Sequence, residues 1–310
     1  MKRISAVVLA ILAAMWGASA QIFCWNLENY FDSYDDPSTA DEAFTPRGEY
    51  RWTRRKWEAK RNLIAKTIIA SSERFAGELP ALVGLCEVEN RFVLKSLVED
   101  TPLAKIRYRT VHRESPDPRG IDVALLYDPA RVKLLDHGWI TISEFATREV
   151  LYAKVSMPDT IHIYVNHWPS KYSGARESEH KRQAVCDALA AHLDSLQTAA
   201  PGAKIIVMGD FNDIPESPSV GSLCSRAGLV NLSPGKGGTI KFKGSWEMID
   251  QMLASPSAAA IIASPEVYRP DFLLEEDKAF LGVKPRRTNI GPRYNGGASD
   301  HLPIIANILP

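Results

Sequence analysis

Apolar and polar positions along the chain fall into blocks whose period switches between that of a strand and that of a helix. Ile22–Leu27 reads as a strand. Residues 28–50 follow it with a high content of Asp, Pro, Ser and Gly, the composition of a long loop. Trp57, Arg61, Ile64 and Ile68 then recur on one face of a helix over Trp57–Ser71. Ala81–Glu87 is a buried strand and Val93–Glu99 a short helix, and Tyr108–His112, Val123–Tyr127 and Lys133–Ile142 are further strands. The second half repeats the alternation. Strands Ala153–Val155 and Ile161–Asn166 precede a long amphipathic helix over Glu177–Gln197, with Val185, Leu189, Leu193 and Leu196 on its apolar stripe. Lys204–Gly209 is a central strand, Pro215, Pro218 and Gly221 mark a loop and a short helix, and Met248–Leu253 and Pro303–Ile308 are strands. Tight turns join several neighbouring strands, so the sheets are expected to be mixed or antiparallel. An α+β layered sandwich fits better than a purely parallel fold. No Pro/Gly/Ser linker and no short repeat divides the chain, which predicts one catalytic domain over residues 21–310.

The first twenty residues stand apart from this pattern. Lys2 and Arg3 precede an almost uninterrupted apolar run from Ala6 to Trp16, and Ala18-Ser19-Ala20 supplies small residues at an A-x-A site. These are the three parts of a secretory signal peptide, with cleavage expected after Ala20. The run is too short to span a bilayer comfortably. The residues before Cys24 are Gln21-Ile22-Phe23, so no small-residue lipobox is present. A secreted or periplasmic location follows as an expectation.

The 310 residues are 45% hydrophobic and 24% charged, which excludes a disordered or collagen-like chain. Lys and Arg number 37 and Asp and Glu 37, so no global positive charge announces a nucleic-acid coat. Export would permit disulfides among Cys24, Cys86, Cys186 and Cys224. Four cysteines allow three full pairings, and sequence does not choose among them. Cys24 lies two residues before Asn26 and Cys86 one before Glu87. If Asn26 and Glu87 face one pocket, strand alternation puts the two thiols on opposite faces. Buried free thiols are therefore the expectation.

Chemistry concentrates at strand ends. Asn26 and Glu28, Glu87 and Glu89, Asn166 and His167, Asp210, Asn212 and Asp213, and Asp250 all follow apolar strands, and Asp300 and His301 precede the last one. A single polar residue at a strand end is usually a turn former. So many rich in Asp, Glu, Asn and His would gather oxygens and imidazoles on one rim. Carboxylate and amide oxygens suit Mg²⁺, Mn²⁺ or Ca²⁺ better than zinc. A hard cation with His–Asp pairs suits hydrolysis at phosphorus.

Six segments carry a family resemblance. They are Trp25-Asn26-Leu27-Glu28-Asn29, Leu85-Cys86-Glu87-Val88-Glu89-Asn90, Val165-Asn166-His167-Trp168, Gly209-Asp210-Phe211-Asn212, Met248-Ile249-Asp250 and Ser299-Asp300-His301-Leu302-Pro303. In this order the chain resembles the endonuclease/exonuclease/phosphatase superfamily of DNase I-like enzymes from about Ile22 to Ile308. The resemblance implies a four-layer α/β/β/α sandwich with two mixed sheets and a site at the rim. It implies Glu87 as the main metal carboxylate, with Asn26 and Asp300 as further metal-site residues. Asp210 and Asn212 would position the water and the scissile phosphate. His301, partnered by Asp250, would be the base or the phosphate-stabilising imidazole. His167 matches the histidine of nuclease-like and sphingomyelinase-like members. Arg119 resembles a phosphate-contacting arginine, and Ser170 and Lys171 would reach the substrate. Glu28 and Glu89 have no settled role in this comparison.

The reaction class is better defined than the substrate. A nuclease acting on DNA or RNA is favoured by the stretch Arg47 to Arg61, where seven Lys and Arg are interleaved with Tyr50, Trp52 and Trp57. The plainer reading of that stretch is an amphipathic helix with a solvated basic face and Trp57 in the core. A sphingomyelinase-like lipid phosphodiesterase would need an apolar membrane element, for which the loop Tyr30 to Phe44 is the candidate despite its acids. A phosphatase on a soluble phosphate ester or inositol phosphate would use Lys284, Arg286, Arg287 and Arg293. A binding protein without activity is disfavoured by the intact motif set. A monomer without a stable protein partner is expected.

Overall fold

The computed structural model describes residues 20–157, 159–171, 174–233 and 237–309. Residues 1–19 of the expected leader lie outside the described residues. The strand-forming runs of the first half become β1 (Ala20–Tyr30), β2 (Leu82–Val88), β3 (Arg109–His112) and β4 (Asp122–Tyr127). Those of the second half become β5 (Lys133–Ile140), β6 (Val150–Ser156), β7 (Thr160–His167), β8 (Lys204–Asp210), β9 (Val230–Asn231) and β12 (Asp250–Ala254), with the hairpin β10 (Ile240–Phe242) and β11 (Ser245–Glu247) between the last two. Then come β13 (Ile262–Val267), β14 (Leu274–Glu276), β15 (Val283–Pro285), β16 (Asn289–Ile290), β17 (Arg293–Tyr294) and β18 (Ile304–Ile308). The helices are α1 (Arg54–Ala70), α2 (Arg91–Glu99), α3 (Ala175–Ala199), α4 (Pro218–Ala227) and the short α5 (Pro256–Ala259).

Two six-stranded sheets form, in the orders β13-β18-β1-β2-β4-β3 and β5-β6-β7-β8-β12-β9. Each is mixed in the same way. One parallel pair, β1 with β2 or β7 with β8, sits inside antiparallel neighbours. A parallel pair needs a long crossover. α1 lies in the first crossover and α3 in the second.

Three apolar layers hold the sandwich. Ile22, Leu82, Leu125, Ile163, Val165, Met208 and Ile304 belong to the core between the sheets. Phe23, Leu85, Ile64, Ile68 and Leu94 pack α1 and α2 on the outer face of the first sheet. Tyr164, Val207, Val185, Leu189 and Leu223 pack α3 and α4 on the second. The architecture is the expected α+β sandwich, helices outside two mixed sheets.

The cysteine geometry corrects the sequence reading. Cys24 pairs in register with Gly84 and Asn26 with Cys86, so both thiols share the inner face and lie in the same core layer. Alternation fails because the pairing of β2 shifts register between Cys86 and Val88, and Glu87 has φ 61°. That irregularity swings Glu87 toward the rim without moving Cys86 from the core. All four cysteines are unbonded, as expected.

Candidate active site

Register alone lines up one half of the site. In the second sheet His167 on β7 pairs with Asp210 on β8, and Asp210 pairs with Asp250 on β12. Three adjacent strands therefore present an imidazole and two carboxylates in a row. Gly209 makes this approach possible. A Cβ there would lie 1.9 Å from the Asn166 carbonyl oxygen, and its φ is 137°.

The first sheet supplies Asn26 and Glu87 from the ends of its own parallel pair. The two halves meet in hydrogen bonds. Asn26 Nδ2 donates to Asp210 Oδ2 at 2.9 Å and to Glu87 Oε1 at 3.3 Å. The Asn29 amide donates to Glu87 Oε2 at 2.6 Å. His167 Nε2 stands 3.7 Å from Glu87 Oε1 and 3.6 Å from Asp210 Oδ2. Asn212 donates its amide N–H to Asp210 Oδ1 at 2.7 Å and its side chain to the Trp168 carbonyl at 2.9 Å. Glu28, Asn29, Glu87 and Asn212, four of the nine non-glycine residues with positive φ among the described residues, lie at this rim. Backbone strain held in place by its surroundings is typical of functional sites.

His301 and Asp250 form the second unit, with Nδ1 and Oδ2 2.7 Å apart. The Ser299 hydroxyl donates to the Asn26 carbonyl at 2.7 Å and accepts the His301 amide at 3.0 Å. This ties the loop before β18 to β1. Asp300 is only partly free to act as a ligand. Its Oδ2 pairs with Arg287 Nη2 at 2.9 Å, and its Oδ1 is 3.7 Å from His301 Nε2.

The electrostatics separate these groups. Burial pushes the Asp210 carboxyl up to about 7, helped by the Asp250 charge and opposed by His301. Burial works against charge on His301, but Asp250 outweighs it and holds this imidazole well above its ordinary value. His167 is held well below, by burial first and then by Arg148 and Arg119. One histidine is thus a cation and the other a neutral ring at neutral pH.

Several contributors had no strand-end signal. Lys60 of α1 is 1% exposed. It donates to the Glu28 carbonyl and, at 2.6 Å, to Thr288 Oγ1. Glu28 receives Arg287 Nε at 3.0 Å and the Thr288 amide at 2.6 Å, so it braces the rim. Burial, with the Asp300 charge, lifts its carboxyl to about 7. Glu89 accepts the Asp32 amide, and Asn90 caps α2 at the Val93 amide. Arg148, buried, bonds Asp117 at 2.7 Å and the Trp168 carbonyl at 2.9 Å.

The remaining expected residues are less central. Arg119 is half exposed, with Nε 3.7 Å from Asp117. Ser170 lines a cleft with Arg119. Lys171 pairs with Asp213 at 2.8 Å. The basic stretch Arg47 to Arg61 does not form an aromatic nucleic-acid platform. Trp52 and Trp57 are core residues, and Lys60 faces inward. The amphipathic-helix reading holds because α1 must cover the first sheet.

The donor set fits a divalent metal. Among the described residues, Glu28, Glu87, Asp210, Asp250 and Asp300 have Lys60, Arg287 and the His301 cation as their opposing charges. Asp250 Oδ1 is buried without a partner. Asp210, Asp250 and His301 bring one ligand atom each within 4.8 Å of one another. We regard His301–Asp250 as a hydrogen-bonded couple rather than a chelating one, since the imidazole carries its proton. Glu87 Oε1, with only long contacts to Asn26 and His167, is the better metal oxygen.

Solved structures share this architecture. The human Nocturnin catalytic domain matches at 18% identity with a TM-score of 0.58, covering 94% of each chain. Humanized D. rerio TDP2 matches at 16% identity with a TM-score of 0.59, covering 94% of this chain and all of that one. A Bacteroides thetaiotaomicron mannosyl-6-phosphatase matches at 14% identity with a TM-score of 0.58 over the same shares. A search of curated proteins finds no match. A family model matches residues 21–309, the span that contains every rim residue described above. The carboxylates, amides and paired imidazole gathered by two parallel strand pairs are thus set in the frame of the endonuclease/exonuclease/phosphatase family, to which this chain belongs.

Proposed function

We propose that the protein is a Mg²⁺-dependent phosphodiesterase acting on DNA or RNA. The observation that carries this reading is the charge of the rim. Arg287 is engaged with Glu28 and Asp300, Lys60 with the Glu28 carbonyl, and Arg119 and Arg148 share Asp117, leaving the His301 cation and an excess of carboxylate. A monoanionic diester with a metal suits such a site better than a dianionic monoester, which would call for free basic residues. A bound divalent cation, held by Glu87 with Asn26 and Asp300 beside it, would supply charge neutralisation at the scissile phosphate. Asp210, with its raised carboxyl, is the group that accepts the proton of the attacking water, and Asn212 holds it in place. His301, fixed by Asp250, donates to the phosphate oxygens. His167 acts as a neutral donor. Arg119 and Ser170 contact the substrate, and Lys171 steadies the loop.

The test is hydrolysis of plasmid DNA, RNA and bis(p-nitrophenyl) phosphate with Mg²⁺ or Mn²⁺, with and without EDTA. The wild type should cleave, and Glu87→Ala and His301→Ala should each lose activity on the order of 10²-fold or more. Metal-dependent cleavage that survives both substitutions unchanged would refute the assignment.

A lipid phosphodiesterase is the second reading, favoured by Phe242, Phe280 and Leu281, which are 57%, 53% and 80% exposed beside one another at two turns. In the loop from Tyr30 to Phe44, Tyr30 and Phe31 are buried and Phe44 stacks on Phe31, which leaves Tyr34 as its exposed aromatic. Choline-phosphate release from sphingomyelin vesicles would favour it. Export also remains part of the proposal. Amino-terminal sequencing of the mature protein should begin at Gln21.

A further inference from the structure

The apolar stripe by which α3 packs on the second sheet carries an arginine. Arg182 lies three residues before Val185, which belongs to that core layer, and is 1% exposed. Taking a guanidinium out of water is costly, and well-packed apolar side chains in its place are often as stable or more so. Packing alone therefore does not call for an arginine here. Its contacts do.

Arg182 reaches two loops that leave the rim. Its Nε stands 3.0 Å from Asp213 Oδ2, in the geometry of an ion pair rather than a hydrogen bond. Nη1 donates to the Pro169 carbonyl at 3.4 Å, and Nη2 to Glu179 Oε2 at 2.7 Å. Asp213 is itself buried and is held from three further directions. Its Oδ1 accepts Lys171 Nζ at 2.8 Å and the Ile214 amide at 3.0 Å, and its carbonyl accepts Gln251 Nε2 at 2.6 Å. Gln251 is the residue after Asp250 on β12. Asp213 is thus a node between α3, β12 and the loop that follows His167.

The residue before this node is under strain. Asn212 has φ 49°, a conformation that persists outside glycine where the surroundings fix it. In that conformation its amide donates to Asp210 Oδ1 at 2.7 Å. Its Nδ2 lies 3.1 Å from Asp210 Oδ2 and 2.9 Å from the Trp168 carbonyl. Asp210 and Asn212 are the groups that receive and hold the attacking water in the proposed mechanism. A turn freed from its clamp relaxes and carries these donors away from Asp210. Glu87 and Asn26 come from the first sheet, on the other side of Asp210.

We propose that Arg182 is a positioning residue, which holds the Asp210–Asn212 turn and the loop after His167 in working geometry through its ion pair with Asp213 and its bond to Pro169. This rests on the phosphodiesterase reading and adds to it a buried residue that touches neither substrate nor metal. Misplacing a reacting group by about 1 Å can cost on the order of 10²-fold in rate. The effect therefore falls on kcat, with substrate and metal binding kept.

The experiment uses the full chain with bis(p-nitrophenyl) phosphate and p-nitrophenyl phosphate, in Mg²⁺ or Mn²⁺. Arg182→Met alone takes the buried partner from Asp213, so the main variant is Arg182→Met combined with Asp213→Asn, which removes both charges. In this double variant kcat should fall at least tenfold, KM should stay within threefold, and Mg²⁺ should raise Tm as much as in the wild type. Arg182→Lys keeps the charge beside Asp213 without the fork to Pro169, and its kcat should lie between the two. A folded double variant with kcat within twofold of the wild type overturns the proposal. So does a loss shared by kcat, KM and the Mg²⁺-induced rise in Tm, which would make Arg182 a general support of the fold. If the double variant does not fold, Arg182→Lys decides: a lower kcat at unchanged KM supports the clamp, and a wild-type kcat overturns it. If the wild type cleaves neither ester with either metal, the phosphodiesterase reading fails instead. The clamp is then decided by hydrogen exchange at the Asn212 amide. Exchange faster in Arg182→Lys than in the wild type, with β8 amides unchanged, supports it, and equal exchange overturns it.

Discussion

Asp250 Oδ2 and His301 Nδ1 stand 2.7 Å apart in a buried couple, although 51 residues separate them in the chain. The carboxylate raises the imidazole pKa against the opposing effect of burial. The active form in our mechanism is the protonated ring, so activity is lost as pH rises through that raised pKa. Asp250→Asn removes the charge and lowers the pKa. The alkaline limb of the kcat/KM profile should then move to lower pH, with a loss on the order of 10²-fold at pH 8. A limb that stays in place would argue that Asp250 does not set the imidazole charge.

The carboxylate excess at the rim predicts stabilisation by divalent cations. Ligand that binds only the folded state adds about 2.7 kcal/mol at a hundredfold excess over Kd. Mg²⁺ or Mn²⁺ should raise Tm in a concentration-dependent way. Glu87→Gln should reduce that rise, which differential scanning calorimetry would measure. An equal rise in the variant would place the cation elsewhere.

Glu89 is 6% exposed, and burial pushes its carboxyl up to about 9. Its folded pKa lies above the unfolded one. Its stabilising contribution is therefore full below about pH 4.5 and is lost as pH rises toward 9. Glu89→Gln should keep the acceptor for the Asp32 amide and remove the penalty of charging. The variant should be more stable than wild type at pH 8 by about 1–3 kcal/mol, with the gain vanishing near pH 4.5. Urea denaturation at the two pH values reads this directly. A gain that is equal at both would mean that charge is not the cause.

Lys60 sits under the rim with Glu28, Glu87 and Asp300 as its charge partners, and burial brings its ammonium down to about 8. Lys60→Met leaves the Glu28 carbonyl without this donor and Thr288 Oγ1 with only its bond to the Ala298 carbonyl, both in a buried place. Breaking such a buried arrangement costs about 3–5 kcal/mol. The loss should appear in chemical denaturation at pH 7. A neutral effect would show that water replaces the ammonium there.

The parts of the fold that were legible in the sequence are the central strands, apolar on both faces, and the helices with one apolar stripe. β1, β2, β7, β8 and the helices that cover them follow that rule. β13 was missed because Pro265 and Glu266 interrupt its run. It is an edge strand whose pairing shifts register between Ala263 and Glu266, where a proline is tolerated. The short hairpins between residues 240 and 294 carry too few residues for a period to show. At the site, residues on regular strands were legible because strand register brings them together. Lys60, Thr288 and Arg148 were not, since a helix and loops deliver them and only tertiary packing gives them partners, whereas Arg287 was expected there as a phosphate-binding cation and is found paired with Glu28 and Asp300. The face of Cys86 was misread because a backbone irregularity at Glu87 leaves no mark in hydrophobic alternation.

The pairing of β1 with β18 also bears on how the molecule is made. Ala20 is in register with Ile308, and Cys24 with Ile304. Asn26 thus waits for the loop that carries His301, the last of the rim residues to leave the ribosome. The first sheet closes only when the final strand docks beside the first one. Such long-range pairing folds slowly. The nascent chain holds no finished catalytic rim during synthesis, so activity begins with the closing of that sheet.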